Sequence, residues 1–285
     1  MSDIVTTRFA PSPTGPLHLG HAYAAIVAHD MARAAGGRFL LRIEDIDQSR
    51  ARPEWEAQIH DDLRWLGLTW DGPVMRQSDR LPAYRMTLEH LWRRGLLYPC
   101  TCTRRDIQEA SSAPQEGAPP PLGPDGPVYP GTCRHVPPPD APLPDAALRL
   151  NMARAIQTLS QPLRFTETGV NSGAHDIDLQ HILQNVGDVV LARRDMGTSY
   201  HLAVVVDDAA QGVTHVTRGQ DLFDATQIHV LLQHLLDLPV PTYHHHRLIR
   251  DDQGKRLAKR DDARAIRAYR DEGMTPDQLR QLIAS

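Results

Sequence analysis

The sequence of 285 residues lacks the features that mark membrane, secreted and fibrous proteins. No stretch approaches the roughly 20 consecutive apolar residues that a membrane-spanning helix needs, and the chain starts with Met-Ser-Asp rather than with a basic segment followed by an apolar one. No internal repeat or heptad pattern is visible, and 41% hydrophobic with 23% charged residues is ordinary for a globular chain. We therefore expect a globular cytoplasmic protein that has no membrane partner.

Cysteine is scarce, and neither sign of charge dominates. Three cysteines cannot form a disulfide framework, and in a reducing compartment an odd number indicates free thiols or metal ligands. The 31 lysines and arginines are nearly balanced by 35 aspartates and glutamates, which argues against wholesale wrapping of nucleic acid. A local basic patch is still compatible with this balance.

Strand and helix patterns alternate along most of the chain. This alternation predicts an α/β fold in which a parallel sheet, split into two halves at residues 1–98 and 148–262, carries helices on its faces. Two short helical patterns form a tail at 263–285. Predicted strands are 4–9, 38–43, 188–192, 213–217 and 243–249; predicted helices are 21–35, 53–66, 82–95 and 221–236; residues 200–207 are mainly apolar and of uncertain type.

Proline is concentrated in one inserted stretch, within residues 99–147. Of the 23 prolines, 12 lie between positions 113 and 145, and because proline removes a backbone donor we expect neither helix nor sheet there. Cys100, Cys102 and Cys133 lie in or just before this stretch. A bound metal would hold together a segment that cannot build its own core; the alternative is three reduced, partly buried thiols.

Residues 11–21, PSPTGPLHLGH, lie between a predicted strand and the start of a predicted helix. Backbone N–H groups and the helix dipole favour anions there, and His18 and His21 can donate hydrogen bonds to phosphate oxygens. Gly20 has no Cβ, so a flat ring can approach the backbone. The alternative is that the two histidines only cap and pack the helix.

A second basic segment lies near the end of the chain. Lys255, Arg256, Lys259 and Arg260 follow the turn-forming residues 251–254. A mobile basic loop can close over a triphosphate and neutralise the charge that develops as pyrophosphate leaves, whereas the alternative is an ordinary solvated face. The two segments together are much more specific than either one.

These segments resemble the two signature motifs of class I aminoacyl-tRNA synthetases. Residues 18–21 are similar to the His-Ile-Gly-His motif, and residues 256–260 are similar to the Lys-Met-Ser-Lys-Ser loop, from which Arg256 and Ala258 depart. The match narrows to the glutamyl branch through four further segments, at residues 8–15, 42–47, 200–203 and 216–219.

The resemblance implies a Rossmann-like catalytic domain that uses ATP with Mg²⁺. In this sequence it implies catalytic roles for His18, His21 and Lys259, and ATP binding by Gly20, Arg256 and Lys259. It also implies a structural zinc in the insertion, with His135 as the spare candidate for the fourth ligand. The implied zinc ligands are Cys100, Cys102, Tyr129 and Cys133.

Length separates the members of the glutamyl branch. Full-length glutamyl-tRNA synthetases carry a helical anticodon-binding region after the lysine loop, whereas 25 residues follow Arg260 here, so we expect no anticodon-binding domain. The chain thus resembles the truncated paralogues that join glutamate to queuosine in the anticodon of tRNA(Asp), and Val204, where several full-length enzymes have asparagine, fits them better. We expect a monomer with tRNA(Asp) as its partner. Two alternatives are a shortened glutamyl-tRNA synthetase that charges a 3′ end and a non-catalytic tRNA-binding module.

Recognition of glutamate requires cationic donors for two carboxylates and a carboxylate for the ammonium group. Arg8 and Arg218 lie at the carboxyl ends of predicted strands, where ligands bind in such sheets. We expect them to form the glutamate site with Tyr200 as a neutral donor, Glu44 as the partner of the ammonium group, and Ser12 from the loop. For each residue singly, the alternative is a surface salt bridge.

His244, His245 and His246 look like a metal cluster at first sight. Alternate residues of a strand face opposite sides, so at most two of the three can converge. We expect them to pack in the core or to lie at the edge of the active site.

Overall fold

The computed structural model describes residues 4–112, 122–134, 141–249 and 264–284. The strands are β1 Thr6–Phe9, β2 Arg38–Ile43, β3 Met75–Arg76, β4 Leu97–Pro99, β5 Leu122–Gly123, β6 Gly126–Pro127, β7 Leu148–Leu150, β8 Arg164–Glu167, β9 Gly173–Asp176, β10 Val190–Ala192, β11 His215–Gly219 and β12 Thr242–His246. The helices are α1 Leu19–Ala34, α2 Pro53–Trp65, α3 Leu81–Arg93, α4 Arg104–Ser112, α5 Met152–Gln157, α6 Leu179–His181, α7 Tyr200–Ala210, α8 Thr226–Leu235, α9 Ile266–Asp271 and α10 Pro276–Ala284. Within these residues, no helix combines the length and the apolar character that a membrane crossing requires.

A parallel sheet is assembled from distant parts of the chain. β1, β2 and β3 pair in parallel, as do β11, β12 and β8, and β9 adds to β8 in the antiparallel sense. The two groups meet where β1 runs beside β11, since Thr214 N–H donates to Thr6 O at 3.0 Å. The predicted α/β fold with a parallel sheet is therefore confirmed, and the carboxyl ends of β1, β2, β8 and β11 gather at one edge.

Helix α1 covers the first half of this sheet. Alanines recur at helical spacing on its buried side, and Gly36, at φ +61°, follows the end of the helix. Thr7 Oγ1 donates to Ala28 O at 2.7 Å, which joins β1 to the helix. This packing fixes the loop at residues 10–18 next to the edge where the strands end.

Several elements differ from the sequence-based expectations. β10 lies in the predicted strand at 188–192 but pairs with β7 in the antiparallel sense, and β7 pairs likewise with β4, so these three form a separate sheet. Residues 200–207 belong to helix α7, and the β8–β9 hairpin was not predicted. β11 ends at Gly219, two residues later than predicted, so Arg218 lies inside it. α8 begins only at Thr226, after a 3-10 turn at Gln220–Leu222.

The expectation that residues 113–145 contain no sheet is wrong. β5 and β6 form a short antiparallel ladder across residues 124 and 125. A ladder of two residues on each side requires few backbone donors, and Gly126, at φ +101°, allows the tight turn. A Cβ at Gly123 would lie 2.3 Å from Asn185 O, so the ladder packs directly on the π-helical turn Ile182–Val186.

Candidate functional site

The histidines at the start of α1 cap the helix reciprocally. Gly20 N–H donates to His18 Nδ1 at 3.1 Å, and His18 N–H donates to His21 Nδ1 at 3.2 Å. The capping alternative is therefore realised. Because each Nδ1 is an acceptor, each neutral ring carries its proton on Nε2. Capping and donation to a phosphate are thus compatible, since they use different ring nitrogens.

The chain that is described again from Arg264 onward lies beside these histidines. Ile266 N–H donates to Leu17 O at 2.8 Å, and His18 forms an antiparallel bridge with Ala265. Arg256 and Lys259 themselves fall within 250–263 and lie outside the described residues.

Arg8 belongs to a buried ion cluster at the strand ends. Its Nε and Nη2 donate to the two carboxylate oxygens of Asp208 at 2.9 and 3.3 Å. Arg42 Nη1 donates to Asp208 Oδ1 at 2.6 Å, and Arg42 Nη2 donates to Glu44 Oε1 at 3.2 Å. Two guanidinium groups and two carboxylates neutralise one another here, and the burial of Arg8 (5% exposed) distinguishes this cluster from a surface salt bridge.

The pKa values of the two carboxylates of this cluster are shifted in opposite directions. Burial raises the pKa of Glu44, even though Arg42 beside it favours the ionised form. Burial also acts to raise the pKa of Asp208, but Arg8 and Arg42 outweigh it and hold that pKa below its usual value. Asp208 is therefore the firm counter-ion of both arginines, and Glu44 is the carboxylate that a further cation would stabilise.

Arg218 has a different environment. It donates from Nε to His245 Nε2 at 3.0 Å, from Nη1 to His229 Nδ1 at 2.8 Å, and from Nη2 to Thr226 Oγ1 at 2.8 Å. Burial, with the charge of Arg218, lowers the pKa of His245 to about 4 and the pKa of His229 well below its ordinary value, so both rings are neutral at pH 7. Within the described part of the chain, this buried guanidinium (6% exposed) has only neutral hydrogen-bond partners.

The remaining members of the expected glutamate site lie around the same edge. Burial raises the pKa of Tyr200 despite the opposing charges of Arg218 and Arg8, so its hydroxyl is a neutral donor. Glu44 N–H donates to Pro11 O at 2.9 Å, which brings the loop with the exposed Ser12 to the edge. Arg8 Nη1 donates to Thr217 O at 3.1 Å, next to Arg218 in the chain.

The three cysteines and Tyr129 come together beneath the inserted segment. The three Sγ atoms lie within 4.8 Å of one another, and Cys102 Sγ is 3.4 Å from Cys133 Sγ. Tyr129 Oη lies 3.5 Å from Cys100 Sγ and 3.4 Å from Cys102 Sγ. A tetrahedral zinc, with bonds of about 2.3 Å to sulfur and about 2.0 Å to oxygen, needs sulfur–sulfur edges of about 3.8 Å and sulfur–oxygen edges of about 3.5 Å. The donor set and the sulfur–oxygen spacing fit such a metal, and the Cys102–Cys133 sulfur distance is about 0.4 Å shorter than the tetrahedral edge.

Arg149 connects this cluster to the rest of the fold. Its Nε donates to Cys100 Sγ at 3.3 Å, its guanidinium lies 3.9 Å from the centre of the Tyr129 ring, and its Nη1 donates to Asp188 O at 2.7 Å. His135, the spare candidate, lies outside the described residues.

The three consecutive histidines of β12 take separate roles. His245 is fully buried and bonds to Arg218, whereas His246 packs its ring edge-on to Tyr23 with the centroids 5.0 Å apart. His244 Nδ1 lies 3.1 Å from Thr168 Oγ1. The expectation of packing and a place at the site edge agrees with these contacts.

Several residues of the site were missed by the sequence analysis. Arg42 stands beside Glu44 in a segment that resembles the glutamyl branch, which was a usable signal. Asp208 and Glu167 had no such signal, because Asp208 directly follows the segment of uncertain type at 200–207 and Glu167 lies on an unpredicted strand. His229 lies on a helix that was predicted, but nothing in the local sequence marks it as a partner of Arg218.

Known proteins resemble this chain over nearly its whole length. The family model for the catalytic domain of class I tRNA synthetases (E and Q) matches residues 4–285. A relative from Rhodobacter capsulatus named glutamyl-Q tRNA(Asp) synthetase is 70% identical, over 97% of this chain and 99% of the relative. A relative of the same name from Nocardia farcinica is 43% identical, over 97% of this chain and 82% of the relative. A glutamate–tRNA ligase from Aquifex aeolicus is 37% identical, over 96% of this chain and 55% of the ligase.

A solved structure resembles the fold as well. The crystal structure of a glutamate tRNA ligase from Elizabethkingia meningosepticum in complex with its amino acid superposes with a TM-score of 0.77 at 27% identity. The match covers 99% of this chain and 60% of that ligase, so the chain spans somewhat more than half the length of the larger enzyme.

Proposed function

Since the chain belongs to the class I tRNA synthetases for glutamate and glutamine, we propose that it activates glutamate with ATP and transfers it to queuosine in the anticodon of tRNA(Asp). The chain is a ligase of this family. The observation that carries glutamate as the substrate is Arg218, a buried cation whose described partners are all neutral. A buried charge of this kind is costly unless an anionic ligand neutralises it.

The glutamate site consists of Arg8, Ser12, Glu44, Tyr200 and Arg218. Arg218 binds one carboxylate, and Tyr200 adds a neutral hydroxyl donor. Arg8 is already paired with Asp208, so it contributes to glutamate binding through its remaining N–H groups rather than through an unpaired charge. Glu44 has a raised pKa, and an ammonium group beside it favours its ionised form and becomes its ion partner.

The ATP site is formed by the start of α1 and the lysine segment. His18 and His21 donate from Nε2 to phosphate oxygens. Gly20 has no Cβ, so the adenine ring can approach the backbone there. We expect Arg256 and Lys259 to neutralise the triphosphate charge; the chain described after them begins beside His18, which forms a bridge with Ala265. Mg²⁺ bound with ATP adds positive charge at the phosphates.

The chemistry needs no covalent enzyme intermediate. An oxygen of the glutamate α-carboxylate bonds to the α-phosphorus of ATP while the bond to pyrophosphate breaks, and His18, His21 and Lys259 stabilise the leaving group. A hydroxyl of the queuosine cyclopentene-diol then attacks the activated carbonyl, loses its proton and releases AMP. That diol resembles the 2′,3′ pair of a ribose, so the transfer step is the same as in charging a 3′ end.

The acceptor is supported by the relative that is 70% identical over 99% of its length, whose name specifies glutamyl-Q and tRNA(Asp). Unpaired anticodon bases can splay out and be read by stacking and edge hydrogen bonds within the cleft. Basic residues, Arg256 and Arg260 among them, are expected to bind phosphates, so tRNA binding should weaken steeply with salt. A single nucleic-acid site in the cleft is sufficient for this reaction, so a monomer can carry it out.

Zinc at Cys100, Cys102, Tyr129 and Cys133 makes residues 99–147 a zinc-binding subdomain between the two catalytic halves, 1–98 and 148–262. The sulfur–oxygen spacing supports this assignment. The metal is structural, since all four ligand positions come from the protein.

The test uses two anticodon stem-loops of tRNA(Asp) that differ only in queuosine or guanosine at the modified position. We expect ATP-dependent pyrophosphate exchange with glutamate in the absence of RNA, and transfer of radiolabelled glutamate to the queuosine stem-loop alone. Glutamate on the 3′ adenosine of tRNA(Glu), with an inert queuosine stem-loop, would instead identify a shortened glutamyl-tRNA synthetase. Absence of pyrophosphate exchange would leave only a tRNA-binding module.

A further inference from the structure

The hydrogen bonds around Arg218 require particular proton positions on its histidine partners. A guanidinium can only donate, so the atoms that face it, His245 Nε2 and His229 Nδ1, must both be acceptors without a proton. Each neutral ring therefore carries its proton on the opposite nitrogen. For His245 this is Nδ1, and for His229 it is Nε2.

Glu167 accounts for the tautomer of His245. Its Oε2 lies 2.5 Å from His245 Nδ1 and accepts a hydrogen bond from Nδ1–H, while its Oε1 accepts hydrogen bonds from the backbone N–H groups of His245 at 2.9 Å and Gly169 at 2.5 Å. These three bonds hold the pKa of Glu167 below its usual value although burial acts to raise it. An ionised Glu167 can only accept, so it forces the proton of His245 to Nδ1.

The second histidine is oriented from the opposite side. His229 Nε2–H donates to His201 Nδ1 at 3.0 Å, so His201 carries its own proton on Nε2, which lies 3.4 Å from Asp125 Oδ1. The ring N–H groups therefore all point away from Arg218: His245 donates to Glu167, His229 donates to His201, and the N–H of His201 faces Asp125.

We propose that Glu167, His245 and His229 are positioning residues for glutamate recognition: they present fixed acceptors to Arg218 and so aim its unused N–H groups at a substrate carboxylate. Three of the five guanidinium N–H groups donate to His245, His229 and Thr226, which fixes the plane of the group. One N–H on each Nη then remains for an anion, and the ring of Tyr243, 5.1 Å from the guanidinium carbon, supports the group. Only the identity of the ligand rests on the proposed function; the tautomers follow from the hydrogen bonds alone.

Glu167→Gln tests the positioning role with almost no change of shape. Oε1 receives two backbone N–H groups, so the amide oxygen keeps that place and the amide NH₂ turns toward His245 Nδ1. The His245 proton then moves to Nε2, where it meets Arg218 Nε–H. We expect the KM for glutamate in pyrophosphate exchange to rise about ten- to a hundredfold, since a buried polar group loses its partner. The KM for ATP should change less than about twofold.

The matched background is His245→Leu, which offers a hydrogen bond to neither Arg218 nor Glu167, so Glu167 cannot act on Arg218 through this position. In that background, Glu167→Gln should change the KM for glutamate less than about twofold. Equal effects in both backgrounds, or parallel losses for glutamate and ATP with a lower unfolding temperature, would reduce Glu167 to a structural role and overturn the proposal. Glu89→Gln, on the exposed side of α3, is the control that should leave both KM values unchanged.

Nitrogen-15 NMR of labelled histidines separates this inference from the proposed function, because it needs no substrate. We expect the His245 signals, assigned by their loss in His245→Leu, to show a neutral ring protonated on Nδ1 at pH 7, and to switch to Nε2 in Glu167→Gln. A wild-type ring protonated on Nε2 would overturn the proposal whatever the activity. The expected tautomers in a protein that exchanges no pyrophosphate would overturn only the function.

Discussion

We predict that Asp208→Asn destabilises the fold by about 3–5 kcal/mol, the usual cost of removing one partner from a buried ion pair. Asp208 is 6% exposed and accepts three hydrogen bonds from two guanidinium groups. With Arg8, Arg42 and Glu44 it forms a set whose formal charges cancel. The variant keeps the shape of the side chain but leaves one net positive charge in the cluster and turns an NH₂ toward a donor.

Urea unfolding at pH 7, followed by circular dichroism, measures the loss. Glu89→Gln is the matched control, because its pairs with Arg85 and Arg93 are exposed i,i+4 contacts worth about 0.5 kcal/mol or less. A loss below about 1 kcal/mol for Asp208→Asn would refute the argument that this carboxylate neutralises two buried cations.

The stabilities of the wild-type protein and of Asp208→Asn should respond differently to acid. A carboxyl group whose pKa is lowered by folding contributes stability that is complete above its unfolded pKa, about 3.9, and is lost as the pH falls through the folded value. The difference between wild type and Asp208→Asn should therefore be constant from pH 7 to about 5 and shrink below about pH 4. A difference that grows as the pH falls would contradict the assigned charge state.

Two further predictions concern the ligands. Arg218→Ala should lower kcat/KM for glutamate by about two to three orders of magnitude and leave the KM for ATP unchanged, because the substrate carboxylate loses its buried cation. Glutamine should compete better in this variant, which pyrophosphate exchange with each amino acid measures. An unchanged preference for glutamate would show that the pocket is wrongly assigned. Protein purified without added metal should contain close to one zinc per chain by elemental analysis, and Cys133→Ser should lose the metal. Metal-free protein that is stable and fully active would show that the three cysteines are ordinary thiols.

The sequence predicted the parts of the site that sit on locally recognisable elements. Arg8, Glu44 and Arg218 were found because strand patterns end beside them, and His18 and His21 because a proline-rich loop precedes a helix. Pairings between distant segments were not found. Asp208 bonds to Arg8 across 200 positions, and Glu167 bonds to His245 across 78.

The short length of β8 explains part of what was missed. Its four residues alternate between exposed and buried, which is too little pattern to distinguish a strand from a loop. Charge also hid the cluster, because aspartate and arginine in a sequence are ordinarily surface residues, and only the packing of α7 against two strand ends buries them.

The turn between β5 and β6 has a consequence for anyone who trims this chain to a minimal catalytic unit. Asp125, at the tip of the inserted segment, faces His201, whose ring is bonded to His229 beside Arg218. The insertion is therefore connected to Arg218 through two histidine rings. A shortened version with a peptide linker in place of the ladder would remove the carboxylate that faces His201 Nε2, and we expect it to bind glutamate weakly while it remains folded.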